Sequence, residues 1–291
     1  IGRFYFSGEK MSILNFHTIW DNCAVVFDDG SVKVRGRNDT GSLIVGHEDR
    51  VDDWTLMQLS GVKQVSLGHA LSAVLLSDGT LQVMESGVLS DAGLTDVTHV
   101  VCARGVVLAA LADGTVQGKN PHGPGISSNP VILAGVDLGT ANIYGDLGIS
   151  DVVHVAVLSV EGMYAVKSDG TLWTATQYEA WADTGLTDVS KVIADPTGAA
   201  VFAIHTDGSM SHRGSYGYFG TGVMASAPEW ESNPLTDVKD VFPCEGATVA
   251  IKNDGSVWAT GLNTNGYLGD GTTEERLSWV RSTALDNIQG A

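Results

Sequence analysis

The chain has 291 residues, 43% of them hydrophobic and 17% charged, which excludes a disordered chain and allows a large core in one or two domains. Its formal charge of −18, from 34 acidic against 16 basic side chains, argues against a nucleic-acid backbone or an anionic membrane surface as partner. Both need a basic footprint. The charge fits a soluble chain that resists self-association, or one with a basic partner. No apolar run approaches the ~20 residues of a membrane-spanning helix, so no membrane insertion is expected. Three cysteines, Cys23, Cys102 and Cys244, show no Cys-x-x-Cys spacing. They are read as thiols, the last two buried, rather than as a disulfide framework or zinc site.

In chain order, the first stretch is Gly2-Arg3-Phe4-Tyr5-Phe6-Ser7-Gly8, which aligns without gaps on Gly255 to Gly261 near the other end. Six copies of one unit follow. Each opens with an apolar-x-x-apolar pair: Ile13/Phe16, Val62/Val65, Val97/Val100, Val152/Val155, Val189/Val192 and Val238/Val241. Each then reaches Asp-Gly-Ser/Thr-apolar, at Asp29, Asp78, Asp113, Asp169, Asp207 and Asp254. The aspartate lies 13 to 15 residues after the pair, while successive aspartates are 35 to 56 apart. Constant spacing inside the unit and variable spacing between units means a fixed strand pair with length-tolerant outer loops. Four units are introduced by a related run, such as Leu94-Thr95-Asp96 or Leu235-Thr236-Asp237.

Asp-Gly between alternating apolar runs predicts a hairpin with a tight two-residue turn, where glycine supplies the positive φ. Units of about 45 residues with short strands and Gly/Asp punctuation are propeller blades rather than helical repeats. The expected fold is an all-β propeller over residues 1–291, seven blades preferred and six possible. Its ring closes where Gly2–Gly8 meets Leu285-Asp286-Asn287-Ile288, which aligns on Leu235 to Val238. Closure removes exposed sheet edges. Residues 119–148, rich in Gly, Pro, Asn and Ser, are expected to form an inserted rim loop.

Val238 to Gly271 resembles the regulator-of-chromosome-condensation repeat. The resemblance rests on Val238-Lys239-Asp240-Val241, Asp254-Gly255-Ser256-Val257-Trp258 and Asn263-Thr264-Asn265-Gly266-Tyr267-Leu268-Gly269-Asp270-Gly271. Asp29 to Gly46 matches well and Asp207 to Gly222 in part. The units at Asp78, Asp113 and Asp169 keep the turn and lose most of the glycine loop. The resemblance implies a seven-bladed propeller. It does not carry over chromatin or GTPase contacts, because the charge here is −18. The family's Val-Trp step survives at Trp173 and Trp258, and His69 is the nearest match to a histidine often found in the family's small-residue strand.

No phosphate loop, zinc helix or nucleophile turn is present, so the chain is read as a non-enzyme without cofactor or metal. An enzyme would need polar residues converging on the channel axis, and the sequence singles out none. The acidic groups at Asp270-Gly271 with Glu274 and Glu275 lack calcium-loop spacing. His47-Glu48-Asp49 with Asp52 and Asp53 is read as a solvated loop. His99 and His154 share one slot between their paired valines and are expected at the surface. Aromatic side chains in loops are the better binding candidates: Tyr216, Tyr218, Phe219, Tyr267, Trp181 and Trp230, with Trp54 and Trp279 also in variable connections. The functional expectation is an interaction or structural propeller in a larger assembly, a phage-type virion component of tail or fibre with adhesive or decorating duty, at a virion or extracellular location. Its partners would be other proteins of the assembly or a cell-surface receptor. The alternative is a regulator or inhibitor that grips an enzyme with one propeller face.

Overall fold

The computed structural model describes residues 13–19, 22–38, 41–68, 71–85, 87–103, 105–119, 132–138, 144–159, 162–195, 200–244 and 246–283. Among them every regular element is a strand. Blade 1 holds β1 (Ile13–Ile19), β2 (Asn22–Phe27), β3 (Val32–Gly36) and β4 (Val51–Leu56). Blade 2 holds β5 (Val62–Leu67), β6 (Leu71–Leu76), β7 (Leu81–Glu85) and β8 (Val88–Asp91). Blade 3 runs through β9 (Val97–Ala103), β10 (Val106–Leu111) and β11 (Val116–Lys119). A separate hairpin, β12 (Ile132–Leu133) and β13 (Val136–Asp137), follows before the blade's outer strand β14 (Gly145–Asp146). Blade 4 holds β15 (Val152–Ser159), β16 (Gly162–Lys167), β17 (Leu172–Ala175) and β18 (Ala182–Asp183). Blade 5 holds β19 (Val189–Ala194), β20 (Ala200–His205), β21 (Met210–Gly217) and β22 (Ala225–Ser232). Blade 6 holds β23 (Val238–Cys244), β24 (Ala247–Lys252), β25 (Val257–Gly261) and β26 (Arg276–Arg281).

Among the described residues the propeller therefore has six blades, not the preferred seven. Each sheet is built around one Asp-Gly hairpin, and the terminal pieces that were to make a seventh blade have none. Those pieces, 1–8 and 285–288, lie outside the described residues, as does their pairing.

All ladders are antiparallel, and each blade is a meander from the channel outward. The second strand of blades 2 to 5 is buried on both faces and reads as a near-continuous apolar run, as in Val106-Val107-Leu108-Ala109-Ala110 or Val201-Phe202-Ala203-Ile204. The core is accordingly spread over the interfaces between blades. One cluster joins Val26 and Val34 of blade 1 to Val62 and Val65 of blade 2. Another joins Phe202 and Ile204 of blade 5 to Val238 and Val241 of blade 6. Each fully buried side chain of this size contributes about 1.5–3 kcal/mol.

The turn differs from the expected two-residue loop. Gly255 N donates to Lys252 O at 2.9 Å and Lys252 N to Ser256 O at 2.9 Å, so the loop has three residues with glycine last at φ 79°. The aspartate carboxylate then accepts from the amide two residues on, at 2.8–3.0 Å in all six copies.

The same glycine joins one blade to the next. Val62 N donates to Gly30 O, Val97 N to Gly79 O, Val152 N to Gly114 O, Val189 N to Gly170 O and Val238 N to Gly208 O, all within 2.8–3.0 Å. The residue before each valine is left-handed: Gly61, or an aspartate at φ 57–62° in Asp96, Asp151, Asp188 and Asp237. It lies directly against the turn, so a Cβ on Gly114 would stand 2.9 Å from the Asp151 backbone. Gly148 also has positive φ, 72°, but open space around it.

Gly148→Ala should cost about 1–2 kcal/mol from backbone strain alone, and Gly114→Ala about 1–3 kcal/mol more, because overpacking adds to strain. Urea denaturation of the two variants measures the difference; equal losses would mean the close approach contributes nothing. The six turn aspartates have their pKa held low by hydrogen bonds from the amide and hydroxyl of the Ser or Thr two residues on. Carboxylates depressed in the folded state stabilise it above the unfolded pKa, and that stability is lost as pH falls through the folded value. The urea midpoint should hold from about pH 7 to 5 and drop below about pH 4. A midpoint flat to strongly acid pH would count against these bonds.

Candidate functional site

Strand polarity sorts the loops. The Asp-Gly turns and the runs that open each blade lie on one face, and the glycine loops before the fourth strands lie on the other. Two regions carry chemistry: this glycine-loop face and the channel.

Buried asparagines shape the glycine loops. Asn263 Oδ1 accepts from Leu268 N at 3.0 Å, and its Nδ2 donates to Asp270 Oδ1 at 3.1 Å and Thr272 O at 3.0 Å. Asn38 does the same in blade 1, accepting from Leu43 N at 2.8 Å. Asp270 is held by Arg276 Nε at 2.7 Å. Burial raises its pKa, but the bonds from Arg276, Thr272 and Asn263 outweigh this and bring it to about 2. The carboxylate thus closes its own loop. Among the described residues no group of three His, Cys, Asp or Glu is placed to hold a metal. Asp49 and Asp52 stand in solvent, with Arg50 Nε bonded to Asp52 at 2.8 Å.

The aromatic candidates separate. Tyr267 is 54% exposed, its hydroxyl accepting from Asn265 Nδ2 at 3.0 Å. Tyr218 is half-buried and its hydroxyl donates to Glu275 of blade 6 at 2.6 Å. Phe219, 2% exposed, lies in the core, edge-on to Phe202 at 5.8 Å. Asn233 Nδ2 draws the loop inward through Phe219 O at 2.7 Å. Trp181 packs on the core between blades 3 and 4 and donates to Leu147 O at 3.1 Å. Trp230, on β22, packs between blades 4 and 5, edge-on to Tyr164 at 6.2 Å. Trp279, on β26, stands over Gly220 and donates to Asn233 Oδ1 at 3.0 Å. Trp54 lies on β4. Tryptophans read as loop residues therefore sit on or beside fourth strands, which the sequence reading left as connections. Tyr216 lies on β21; its side chain, the side chain of Cys244, and His69 are outside the described residues. Among the described residues four exposed apolar side chains on the same face went unnoticed: Tyr178 at 72%, Val223 at 57%, Leu262 at 46% and, on blade 2, Val88 at 65%.

The described residues 132–138 within the stretch 119–148 pack against the neighbouring blade. Leu133 and Ala134 are buried, and Gly135 N donates to Gln177 O at 3.2 Å.

The channel, about 400 Å³, is lined by the first strand of all six blades. Its ring is built from one repeat slot: Asn15, Gln64, His99, His154, Lys191 and Asp240. His99 and His154 thus face the channel, not the outer surface. The cause is a bulge in every first strand, which skips Leu14, Lys63, Thr98, Val153, Ser190 and Lys239 in the pairing. Slot side chains also tie neighbouring strands together. Gln64 grips the Val100 amide and carbonyl at 3.2 and 2.9 Å, Asn15 accepts from Val65 N at 3.3 Å, and Lys191 bonds Asp240 at 2.9 Å. One layer deeper, Leu67 N donates to His17 Nδ1 at 3.2 Å and Cys102 N to Ser66 Oγ at 2.8 Å. Burial pushes the Cys102 thiol up to about 12, so it is an inert packing group.

No model of a known protein family matches the sequence, nor does any curated protein sequence. Solved structures do match. Human WBSCR16 superposes over 95% of this chain and 83% of its own, with TM-score 0.73 and 19% identity. Yeast RCC1 (Prp20), bound to Kap60, covers 93% of this chain and 74% of its own, with TM-score 0.73 and 13% identity. Prp20p from Saccharomyces cerevisiae, in a structure reported with its binding to Gsp1p and histones, gives 93%, 76%, 0.73 and 12%. The chain has the fold of these RCC1-like propellers, and the resemblance read in its repeats holds at that level.

Phe219→Ala should cost about 3–5 kcal/mol, while Tyr267→Ala should change stability by less than about 0.5 kcal/mol. Denaturant midpoints of the two variants test the assignment of core and surface; similar losses would contradict it.

Proposed function

We propose that this chain is a non-enzymatic protein-interaction propeller that binds its partner with the glycine-loop face of blades 4 to 6. One observation carries the reading: Tyr178, Val223, Leu262 and Tyr267 stand exposed on that face, on three consecutive blades. Tyr267 stands on a loop braced by buried Asn263, and Tyr178 on one turned by Thr176, whose hydroxyl accepts from Glu179 N at 3.1 Å. Exposed tyrosines on such fixed loops are good anchors, since little entropy is lost when they dock. The finer reading is a virion or extracellular component, a phage-type tail or fibre module with adhesive or decorating duty. It is supported by degenerate repeats, 36 glycines and only 16 basic side chains. The second reading, a regulator of an enzyme, is favoured by the fold shared with Prp20p, a protein whose reported partners include Gsp1p.

Affinity purification from the native source, with gradient sedimentation and particle imaging, tests both. Co-sedimentation with particles supports the assembly component, and one stoichiometric soluble enzyme supports the regulator. In either case Tyr178→Ala with Tyr267→Ala should weaken capture at least about tenfold while the melting curve stays in place. Undiminished capture by that double variant would rule out this face.

A further inference from the structure

The channel ring leaves donors unused while its acceptors are spent. Asn15 Oδ1 accepts from Val65 N at 3.3 Å, and its Nδ2 bonds nothing among the described residues. Gln64 uses both its oxygen and its nitrogen on Val100. Asp240 gives one oxygen to Lys191 at 2.9 Å and the other to Val241 N at 3.0 Å. That bond engages one N–H of the Lys191 ammonium and leaves the others. Lys63, the bulge residue of β5, makes no hydrogen bond or ion pair among the described residues, and both lysines line the channel. Burial, against a Val155 bond that raises it, and then the charges of Lys191 and Lys63 bring His99 down to about 4, so both ammonium groups stand near the ring. The histidines are walls rather than ligands, since the unpartnered nitrogens of His99 and His154 are closed off from any solute.

We propose that the central channel binds a small tetrahedral oxyanion, inorganic phosphate or the phosphoryl group of a small phosphomonoester, between the Asn15 amide and the ammonium groups of Lys63 and Lys191. The donors are open to a solute. The Lys191 side chain is 39% exposed, and since it lies on a first strand and lines the channel, that exposure is to the channel. Lys63 is exposed as well, and the channel volume of about 400 Å³ leaves room for a small ligand. The donors also come from more than one wall: Asn15 from blade 1, Lys63 from blade 2, and Lys191 from blade 5 on the far side of the ring. A tetrahedral ion presents oxygens in several directions and can meet all three, whereas a carboxylate offers its two oxygens to one side.

The local charge has the sign this requires. The chain has 34 acidic and 16 basic side chains, yet the lining holds Lys63 and Lys191 against Asp240 alone among its carboxylates. Burial lowers His17 to about 4, and burial, then His99 and Lys191, lower His154 further, so the channel imidazoles are neutral near neutral pH and leave that balance positive. A cation would find no free ligand, because both Asp240 oxygens are bonded and no group of three metal-ligating side chains occurs among the described residues. The aspartates of the turn face repel an approaching anion, but salt screens charges beyond about 8 Å at physiological ionic strength. Bonds made in contact with an ammonium group are not screened in that way and are the stronger kind of hydrogen bond.

Calorimetry on the full chain with inorganic phosphate, at about pH 7.5 in about 0.15 M sodium chloride, tests this. Phosphate should bind at one site with a Kd of about 1 mM or tighter. Asn15→Asp keeps an oxygen for Val65 N and puts a negative charge where the free amide stood. It should fold and weaken phosphate at least about thirtyfold. Lys63→Gln should also fold, since that lysine has no bond to lose, and bind at least about tenfold more weakly. Lys167→Gln removes the same charge outside the channel, where Lys167 lies over Trp173, and should keep the affinity within about twofold. Methyl phosphate separates the two sources: affinity equal to that of phosphate assigns the site to a phosphomonoester, and binding of phosphate alone assigns it to the free ion. The Tyr178 and Tyr267 variants should bind phosphate normally, so the channel and the loop face stand or fall separately. The proposal is overturned by no saturable binding of phosphate up to about 10 mM. It is equally overturned if Asn15→Asp binds phosphate as the parent chain does, or if Lys63→Gln and Lys167→Gln weaken it alike.

Discussion

From blade 1 through blade 6, each blade is fastened to the next by a backbone hydrogen bond from the first valine of the later blade to the turn glycine of the one before, and the rest of the described structure is arranged around those five bonds. The left-handed residue ahead of the valine returns the chain to its own blade. Asp96 O accepts from Ala112 N at 2.8 Å, Asp151 O from Ser168 N at 2.7 Å and Asp188 O from Thr206 N at 2.7 Å. The two bonds join two turns and a strand start, and both run between main-chain groups. They ask for glycine at one point and a residue tolerant of positive φ at another, and leave other positions free. Repeats can therefore diverge widely, as the second, third and fourth units do when they lose most of the glycine loop, without loss of the ring.

The same constraint explains much of the charge. Six aspartates accept the amide that closes a hairpin turn. Four more occupy the left-handed position that opens a blade. Asp91, Asp146 and Asp183 each accept from a glycine amide two residues on, at 2.8 Å. Aspartate suits all three places because its short carboxylate bonds nearby main-chain donors and it tolerates positive φ. Together these make up more than a third of the 34 acidic side chains, all gathered on the turn face. The acidity of that face is a by-product of turn chemistry, so net charge alone says little about a partner.

What was legible in the sequence follows from this. The turn and the valine pair repeat at near-constant spacing, so blade identity could be read from Asp29 to Asp254. The fourth strands could not: β14 and β18 have two residues each, Gly145-Asp146 and Ala182-Asp183, and follow loops of variable length. Trp181, Trp230 and Trp279 were thus taken for loop residues when each closes a gap between blades. Simple alternation placed His99 and His154 at the surface because it assumes a regular strand. A bulge adds one residue after the first valine and turns the slot toward the axis. Nothing in the local pattern marks that bulge, but the slot itself was visible, polar in all six copies. The tryptophans of the Val-Trp step show the opposite case. Trp173 and Trp258 lie under Lys167 and Lys252, at 4.5 and 5.6 Å, and donate to Thr171 and Ser256 of their own turns. Their place follows from local sequence.

The division of labour between main chain and side chain bears on where function can reside. Main-chain bonds and valine packing hold the blades together, so the slot residues are only partly needed for assembly. Gln64 shows how much a slot can contribute, with two bonds to the next strand, and His154 how little, with a stacking contact and an idle nitrogen. The six slots carry six side chains of five kinds, with the charges of Lys191 and Asp240 cancelling, in a ring whose frame barely varies. The glycine loops have the same freedom, since a single buried asparagine such as Asn38 or Asn263 fixes the loop path and leaves its tip open. A fold of this kind concentrates variable chemistry in two places, the axis and the loop face, and both are set on strands that main-chain bonds join blade to blade.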